Sequence, residues 1–255
     1  MKFSILITSF NKGKYIEECI NSCLNQVFKD YEIILLDNCS QDNTHSIISK
    51  YKNKIKFIKK KRVSKYPAMN QIDLLIKGFK ISKGKTICLL DGDDLFYKNK
   101  LQVLNKVLKN KVDVVFDLPM IKDRSTLKKF KLYNKIQKNI WPTIIPTSSI
   151  TMKRVFFKHC LDTKLFHKFN YLEVDFRINI LSRNILKNFK IIKNDLSFYR
   201  KVENGIMSKI KKFSKIWWVK RLEAHNFMKY IYKKNRIKYE NKIDYHLSKV
   251  FSSLN

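Results

Sequence analysis

Glycine and proline are both scarce: the 255-residue chain holds five of the first and four of the second. The glycines are Gly13, Gly78, Gly84, Gly92 and Gly205. A dinucleotide-binding turn needs three closely spaced glycines after a strand, and a Walker loop needs two glycines bracketing four residues. Neither can be assembled from these positions, so both devices are excluded. HExxH and GxSxG are also missing. Cysteine is sparse and odd in number, at Cys19, Cys23, Cys39, Cys88 and Cys160. No CxxC pair or zinc-like Cys/His spacing occurs, so these read as reduced, buried thiols of a cytosolic compartment. The five histidines show no ligand spacing and are expected to be structural or on the surface. No apolar run reaches the roughly 18 residues of a membrane span, and the N-terminal "MKFSILITSF" is too short for a signal sequence. The expectation is a cytoplasmic protein, at most peripheral on the inner membrane face.

Acid is the other shortage. Lys and Arg total 54 against 21 Asp and Glu, a formal charge of +33. Such an excess fits nucleic acid, an anionic membrane surface or phosphorylated ligands. It also fits a general composition bias, because lysine far outnumbers arginine and Ile and Asn are abundant. No specific nucleic-acid partner is expected, since the basic residues are spread along the chain rather than grouped in a recognised motif.

The apolar pattern alternates strands and helices. "FSILITSF" (3–10) is a continuous apolar run of strand length, as in a parallel sheet buried on both faces. Tyr15, Ile16, Cys19, Ile20, Cys23, Leu24 and Val27 then recur at helical steps. "YEIILLDN" (31–38) is a second strand, "SQDNTHSIISKYKN" opens a helix, and "IKFIKK" (55–60) is a weaker strand. A helix over 71–82 stops at Gly84, before a strand at 85–90. This order argues a mainly parallel α/β sheet with right-handed crossovers. Further on come a helix at 100–110, a strand at 112–118, an irregular basic stretch at 120–145, a strand in "TSSITMKR" and a helix at 171–184 with Leu172, Phe176, Ile180 and Leu181 inward. From 206 runs a lysine- and aromatic-rich helical tail. Trp217, Trp218, Tyr230 and Tyr232 there suit either an interfacial helix or ordinary packing.

Ligands of such sheets lie beyond the carboxyl ends of the strands, so three strand ends should share one crevice: Thr8–Asn11, Asp37–Asn38 and Asp91–Asp94. Asp91, Asp93 and Asp94 stand in "LLDGDD" in an acid-poor chain. Two carboxylates about 4 Å apart repel by roughly 4 kcal/mol at an effective dielectric near 20. A hard divalent cation sharing phosphate oxygens would relieve that repulsion, and a flexible Gly92 would let backbone approach a ligand. A solvated acidic turn capping the helix near 97 is the plainer alternative.

"SILITSFNKGKYIEECINSCLNQVFKDYEIILLDNCSQDNT", followed later by "GKTICLLDGDD", resembles the family 2 glycosyltransferases, which have the GT-A fold. The resemblance is clearest over residues 1–100, extends to about 205 and is absent from the tail. It implies that Thr8 and Phe10 contact a nucleotide base, that Asp37 accepts a hydrogen bond from a uracil ring, and that Asp91 lies near the ribose. It implies that Asp93 holds Mn²⁺ or Mg²⁺ bridging the donor diphosphate, with Asp94 a lesser participant. Asn38 and Cys39 stand where the family often has a second acid or a small residue, which leaves the nucleotide less defined.

Inverting transfer needs a base, and the resemblance implies an Asp in an ED-like motif at a helix start in the second half; "YLEVDFRI" departs from a strict ED pair there and offers Asp175, with Glu173 in reserve. Partial burial would lift an aspartate from its ordinary value near 3.9 into a useful range. An acidic helix N-terminus satisfying the dipole is the structural alternative. Arg177 is left unassigned between pairing with that acid and pointing to solvent. The resemblance places a loop near the diphosphate at "KKKRVSK" (59–65), where Lys61 or Arg62 would help neutralise phosphate and a solvated charge run is the alternative; it places at "FYRKVENGIMS" a basic residue that closes over the donor, for which Arg200 is the candidate.

The expected fold is therefore α/β and GT-A-like: a single domain with a mainly parallel central sheet flanked by helices, plus a C-terminal helical tail. Residues 1–100 would form the nucleotide-sugar half, 101–205 the acceptor half and 206–255 the basic tail. The expected donor is a nucleotide-sugar, a UDP-sugar first, and the acceptor a glycan or lipid-linked hydroxyl, with an anionic membrane surface as a further partner. The rival readings are a charge-driven nucleic-acid-binding module, a membrane scaffold of the same fold without catalysis, and a nucleotidyltransferase.

Overall fold

The computed structural model describes residues 1–108, 112–132, 142–162, 165–202, 205 and 210–254. Parts of the basic stretch expected at 120–145, the end of the helix expected at 100–110 and the start of the tail at 206 lie outside these.

A seven-stranded sheet runs through the molecule. Its strands are β1 (Phe3–Ser9), β2 (Tyr31–Asp37), β3 (Lys56–Lys59), β4 (Thr86–Asp91), β6 (Val114–Asp117), β9 (Ile150–Lys153) and β10 (Phe189–Ile192), in the order β10-β6-β9-β4-β1-β2-β3. The continuous apolar runs do become central strands. Along β1, Phe3, Ile5 and Ile7 face one apolar layer and Leu6 the other, and β2 and β4 alternate the same way. Burial on both faces is what an unbroken apolar run can satisfy.

One strand departs from the expected parallel order. β9 lies antiparallel to both β4 and β6, entering from a tight turn over Thr147–Ser149. A second sheet, β5-β11-β7-β8, joins β5 (Leu95–Phe96), β11 (Ser197–Lys201), β7 (Met120–Asp123) and β8 (Thr126–Lys129). The last two form a hairpin inside the stretch expected to be irregular. Its mostly exposed, lysine-rich strands carry little apolar alternation, so the usual strand signal is absent.

Among the helices, α1 (Ile16–Leu24) buries Ile16, Cys19, Ile20 and Cys23 as expected, while Val27 lies outside it and is exposed. Next come α2 (Thr44–Ser49), α3 (Pro67–Ile81) and α4 (Lys100–Val107). α3 starts four residues before the expected position, because Pro67 occupies its first turn, where the missing N–H costs nothing. α5 (Arg154–Asp162) was not foreseen. The helix expected over 171–184 is shorter: α6 (Val174–Ile180) passes into a π-helical turn over Leu181–Leu186. Leu172, Phe176, Ile180 and Leu181 do face inward.

The C-terminal pair α7 (Lys215–Lys234) and α8 (Ile243–Ser253) packs onto the body. Ala224, Phe227, Met228 and Ile231 of α7 join the same apolar cluster as α3, α5 and α6. Trp218 stacks on Phe251 at 5.0 Å between ring centroids, tying α7 to α8. His225, wholly buried, joins α7 to Tyr239 at 2.7 Å and to Asp244 at 2.8 Å, as a structural histidine does. Among the described residues no helix is long and apolar enough to cross a membrane.

Candidate active site

Strand register builds the crevice. Thr8 of β1 lies opposite Asp91 of β4, and Ser9 opposite Asp37 of β2, so the three strand ends come level. The two loops beyond them are laced together. Asn11 N–H donates to Ser40 Oγ at 2.8 Å, Lys12 N–H to Thr44 Oγ1 at 2.9 Å and Gly13 N–H to Asp42 Oδ2 at 2.9 Å, while Asn11 Oδ1 accepts from Gln41 N–H at 2.8 Å. Asn11 and Cys39 both adopt left-handed backbone, φ 52° and 57°. Asparagine tolerates that region; for cysteine it is uncommon.

Asp37 is fully buried and already engaged. It accepts from Ser40 N–H at 2.7 Å, Ser40 Oγ at 2.5 Å and His45 Nε2 at 2.6 Å. A carboxylate offers about four lone-pair sites, so little capacity is left for a base. Phe10 is half-buried and carries the Arg62 guanidinium 4.7 Å above its ring. Arg62 is thus beside Phe10, and Lys61 is exposed. The loop bearing them is pinned by Asn70, whose side chain accepts from Val63 and Ser64 N–H at 3.0 Å each.

The three clustered acids have three different environments. Asp91 Oδ1 accepts from Thr8 Oγ1 at 3.0 Å and Gln71 Nε2 at 2.6 Å. Burial, reinforced by the charge of Asp93, pushes its carboxyl up to about 6. Asp93 pairs with the Lys12 ammonium, and its carbonyl accepts from Arg200 Nη1 at 3.0 Å. Asp94 is buried and accepts from Ser148 Oγ at 2.5 Å and Arg200 N–H at 2.8 Å. Burial and then its two acidic neighbours raise it well above the ordinary value. Asp94 therefore positions Ser148 and Arg200. The guanidinium of Arg200 also pairs with Glu18 and lies 5.4 Å from the Tyr15 ring.

Gly92, expected to let backbone approach a ligand, is also needed for packing. No described glycine has positive φ. A Cβ there would meet the Thr8 carbonyl oxygen and Ile16 Cδ1, each at 3.1 Å, so the need is for close packing of two strand ends.

Asp175 stands in the first turn of α6, with Glu173 as its N-cap. Burial, then the charge of Glu173, raise its carboxyl to about 7, against the pull of Lys220 and the Phe176 N–H. Asp91 is close enough to add to the rise. Glu173 pairs with Lys220 of α7, so the tail supplies a cation to this corner. Arg177 neither pairs with these acids nor meets solvent. It is wholly buried, donating to the carbonyls of Leu165 at 2.5 Å, Phe169 at 2.7 Å and Leu172 at 3.1 Å, which fixes the loop leading to Asp175. Burial lowers it to about 10.

Sequence reasoning missed Lys12, Ser40, His45, Gln71, Ser148, Tyr199 and Lys220. Ser40 and His45 follow Asp37 within residues 37–45, "DNCSQDNTH", and could have been found there. Tyr199 has its hydroxyl raised by burial and by Asp94, Asp175, Asp91 and Asp93 together, which sets it among both acid groups. Nothing in its local pattern marks it.

Among the described residues no cluster of three or more His, Cys, Asp or Glu side chains is arranged to hold a metal. The donor set nevertheless fits a hard ion in one way. Asp93 already holds a cationic group, while Asp91 and Asp94 are occupied by hydroxyl, amide and N–H donors. One carboxylate plus diphosphate oxygens and water is an ordinary Mg²⁺ arrangement.

Known proteins share this framework. The family model described as "Glycosyl transferase family 2" matches residues 4–166. Poly(ribitol-phosphate) beta-N-acetylglucosaminyltransferase TarP of Staphylococcus aureus is 36% identical over 107 residues, 40% of this chain and 32% of TarP. Cholesterol galactosyltransferase of Borreliella burgdorferi is 29% identical over 192 residues, 72% of this chain and 52% of that protein. The chain thus spans about a third to a half of the length of these relatives. The crystal structure of S. aureus TarS 1–349 in complex with UDP-GlcNAc superposes over 99% of this chain and 71% of that TarS fragment, with TM-score 0.65 and 16% identity. At that identity the likeness establishes the fold, which is GT-A.

Proposed function

The chain belongs to glycosyl transferase family 2, and on that premise we propose that it is a metal-dependent, inverting glycosyltransferase moving a sugar from a nucleoside diphosphate, a UDP-sugar first, to a hydroxyl. Residues 1–100 form the donor half in this reading, 101–205 the acceptor half and 206–255 a tail that braces it. Thr8, Phe10 and Asp91 position the nucleoside, and Asp37, with three of its roughly four acceptor sites taken by Ser40 and His45, contributes the one that remains. Asp93 would hold Mg²⁺ or Mn²⁺, which when bound stabilises charge on the departing diphosphate as a Lewis acid. Arg200, beside Asp93, and Arg62, beside Phe10, neutralise phosphate. Asp175 takes the proton from the acceptor hydroxyl as that oxygen attacks the anomeric carbon, for which a carboxyl near 7 is well matched.

One observation carries the reading. Thr8, Asp37 and Asp91–Asp94 converge at the ends of adjacent strands, with Asp175 from the other half within electrostatic reach of Asp91. The relatives' names favour an acceptor of the cell envelope, either a glycan or a lipid-linked one, and hence work at the inner membrane face. Supporting that location, Ile243, Leu247, Val250 and Leu254 at the C-terminal end are all exposed at helical spacing, with Lys242 and Lys249 beside them. Such a face suits an anionic interface.

The test is calorimetric titration with UDP, GDP, CDP and dTDP, with and without Mn²⁺, on the wild type and Asp93→Ala. Metal-dependent binding of one nucleotide, lost in the variant, is the expected result. Binding of anionic vesicles with no nucleotide bound at any salt would replace the transferase with a membrane scaffold.

A further inference from the structure

Lys12 sits in the turn after β1. Its backbone is held on both sides: its own N–H reaches Thr44 Oγ1, Asn11 before it is left-handed and tied to Ser40, and Gly13 after it donates to Asp42. From this fixed root the side chain runs over Gly92, where an added Cβ would lie 3.4 Å from Lys12 Cγ. The ammonium ends on Asp93 Oδ2, and the Lys12 and Asp93 side chains are only 17% and 10% exposed. The carboxylate best suited to a divalent ion is therefore already holding a cation, and that cation belongs to the chain.

An ammonium and a divalent ion cannot share one carboxylate edge at contact distance in so dry a place without strong repulsion. Whichever binds Asp93 displaces the other. The two basic side chains at this site differ in their freedom to move. Arg200 is fixed by the Asp93 carbonyl, Glu18 and the Tyr15 ring, whereas Lys12 is a compact charge on a flexible stem, paired with Asp93.

We propose that Lys12 is an internal counter-ion that guards Asp93 against free metal and, when displaced by metal arriving with the donor, turns its ammonium onto the donor diphosphate. The inference rests on the reading of Asp93 as the metal's carboxylate. Metal and nucleotide then bind as a coupled pair, each weakly alone, and the coupling is reciprocal. Lys12 is in this sense a positioning residue for the metal and a binding residue for the diphosphate.

The experiment is Mn²⁺ titration followed by electron paramagnetic resonance, on wild type, Lys12→Met, Lys12→Arg and Asp93→Ala, with and without UDP. Lys12→Met should bind Mn²⁺ alone on the order of tenfold more tightly than wild type, and should bind UDP more weakly in the absence of metal. Lys12→Arg should keep the weak binding of Mn²⁺ alone. Unchanged or weaker Mn²⁺ affinity in Lys12→Met, including no measurable binding to either protein, overturns the proposal. Asp93→Ala separates the two readings: if it binds Mn²⁺ and UDP like wild type, the assignment of Asp93 itself is wrong. If it binds neither while Lys12→Met matches wild type, only the role of Lys12 falls.

Discussion

Lys100 Nζ lies 2.7 Å from Asp117 Oδ1, and neither side chain has any solvent exposure. The ammonium also donates to the Ser148 carbonyl at 2.8 Å and to Ser197 Oγ at 2.6 Å, and sits 4.1 Å from the centre of the Phe96 ring. One buried cation thereby joins α4, β6, β11 and the turn carrying Ser148, the residue that holds Asp94. Removing one partner of such a pair strands the other charge, at a cost of about 3–5 kcal/mol, whereas an apolar replacement of both is often tolerated. Lys100→Met is expected to lose that much stability in urea denaturation, and Lys100→Met/Asp117→Leu to recover much of it.

Asp175 titrates near 7 in the folded protein, raised chiefly by burial. In the role of base proposed for it, Asp175 must be deprotonated, so kcat/KM should rise with pH and level off above about 7. Asp175→Asn should lower kcat by roughly 10²–10⁴-fold while leaving nucleotide binding intact. The same shift has a stability consequence. Because the folded value is above the unfolded one, the contribution is fully present below about 4 and lost as pH rises through about 7. The stability of Asp175→Asn relative to wild type should therefore improve from pH 4 to 8, which thermal melts across that range would detect.

Glu173 and Lys220 act on Asp175 in opposite directions. Glu173→Gln removes a repelling charge, so the rising limb of the pH–rate profile should move to lower pH. Lys220→Met removes an attracting one, so the limb should move to higher pH. Movement of both limbs in the same direction would show that the profile reports some other group.

Gly84 ends the turn before β4, where an added Cβ would come within 2.5 Å of the Phe3 carbonyl carbon and the Ser4 nitrogen. Backbone cannot yield as a flexible side chain does. Gly84→Ala should cost about 1–3 kcal/mol, measured by urea denaturation, with nucleotide affinity unchanged.

Much of the first hundred residues was legible because their information is local. An apolar run of strand length announces burial on both faces, and β1, β2 and β4 obeyed it. The strand-end rule then brought Thr8, Asp37 and Asp91 level without further help. The second half was harder to read. The charged hairpin β7–β8 and the reversal of β9 carry no distinctive pattern, because burial period records which face is apolar but not which neighbour or direction a strand takes.

The sequence by itself determined the family, the α/β class and the positions where acids would gather, since each rests on contiguous residues whose spacing is chemical information. The tertiary structure alone decided what those acids meet: Lys12 on Asp93 across 81 residues, Gln71 on Asp91 across 20, and Lys220 on Glu173 across 47. In a chain so rich in lysine, composition offers each carboxylate many possible partners. Which one it receives depends on packing, because burial removes water as the competing partner and leaves only the cation that the fold brings within reach.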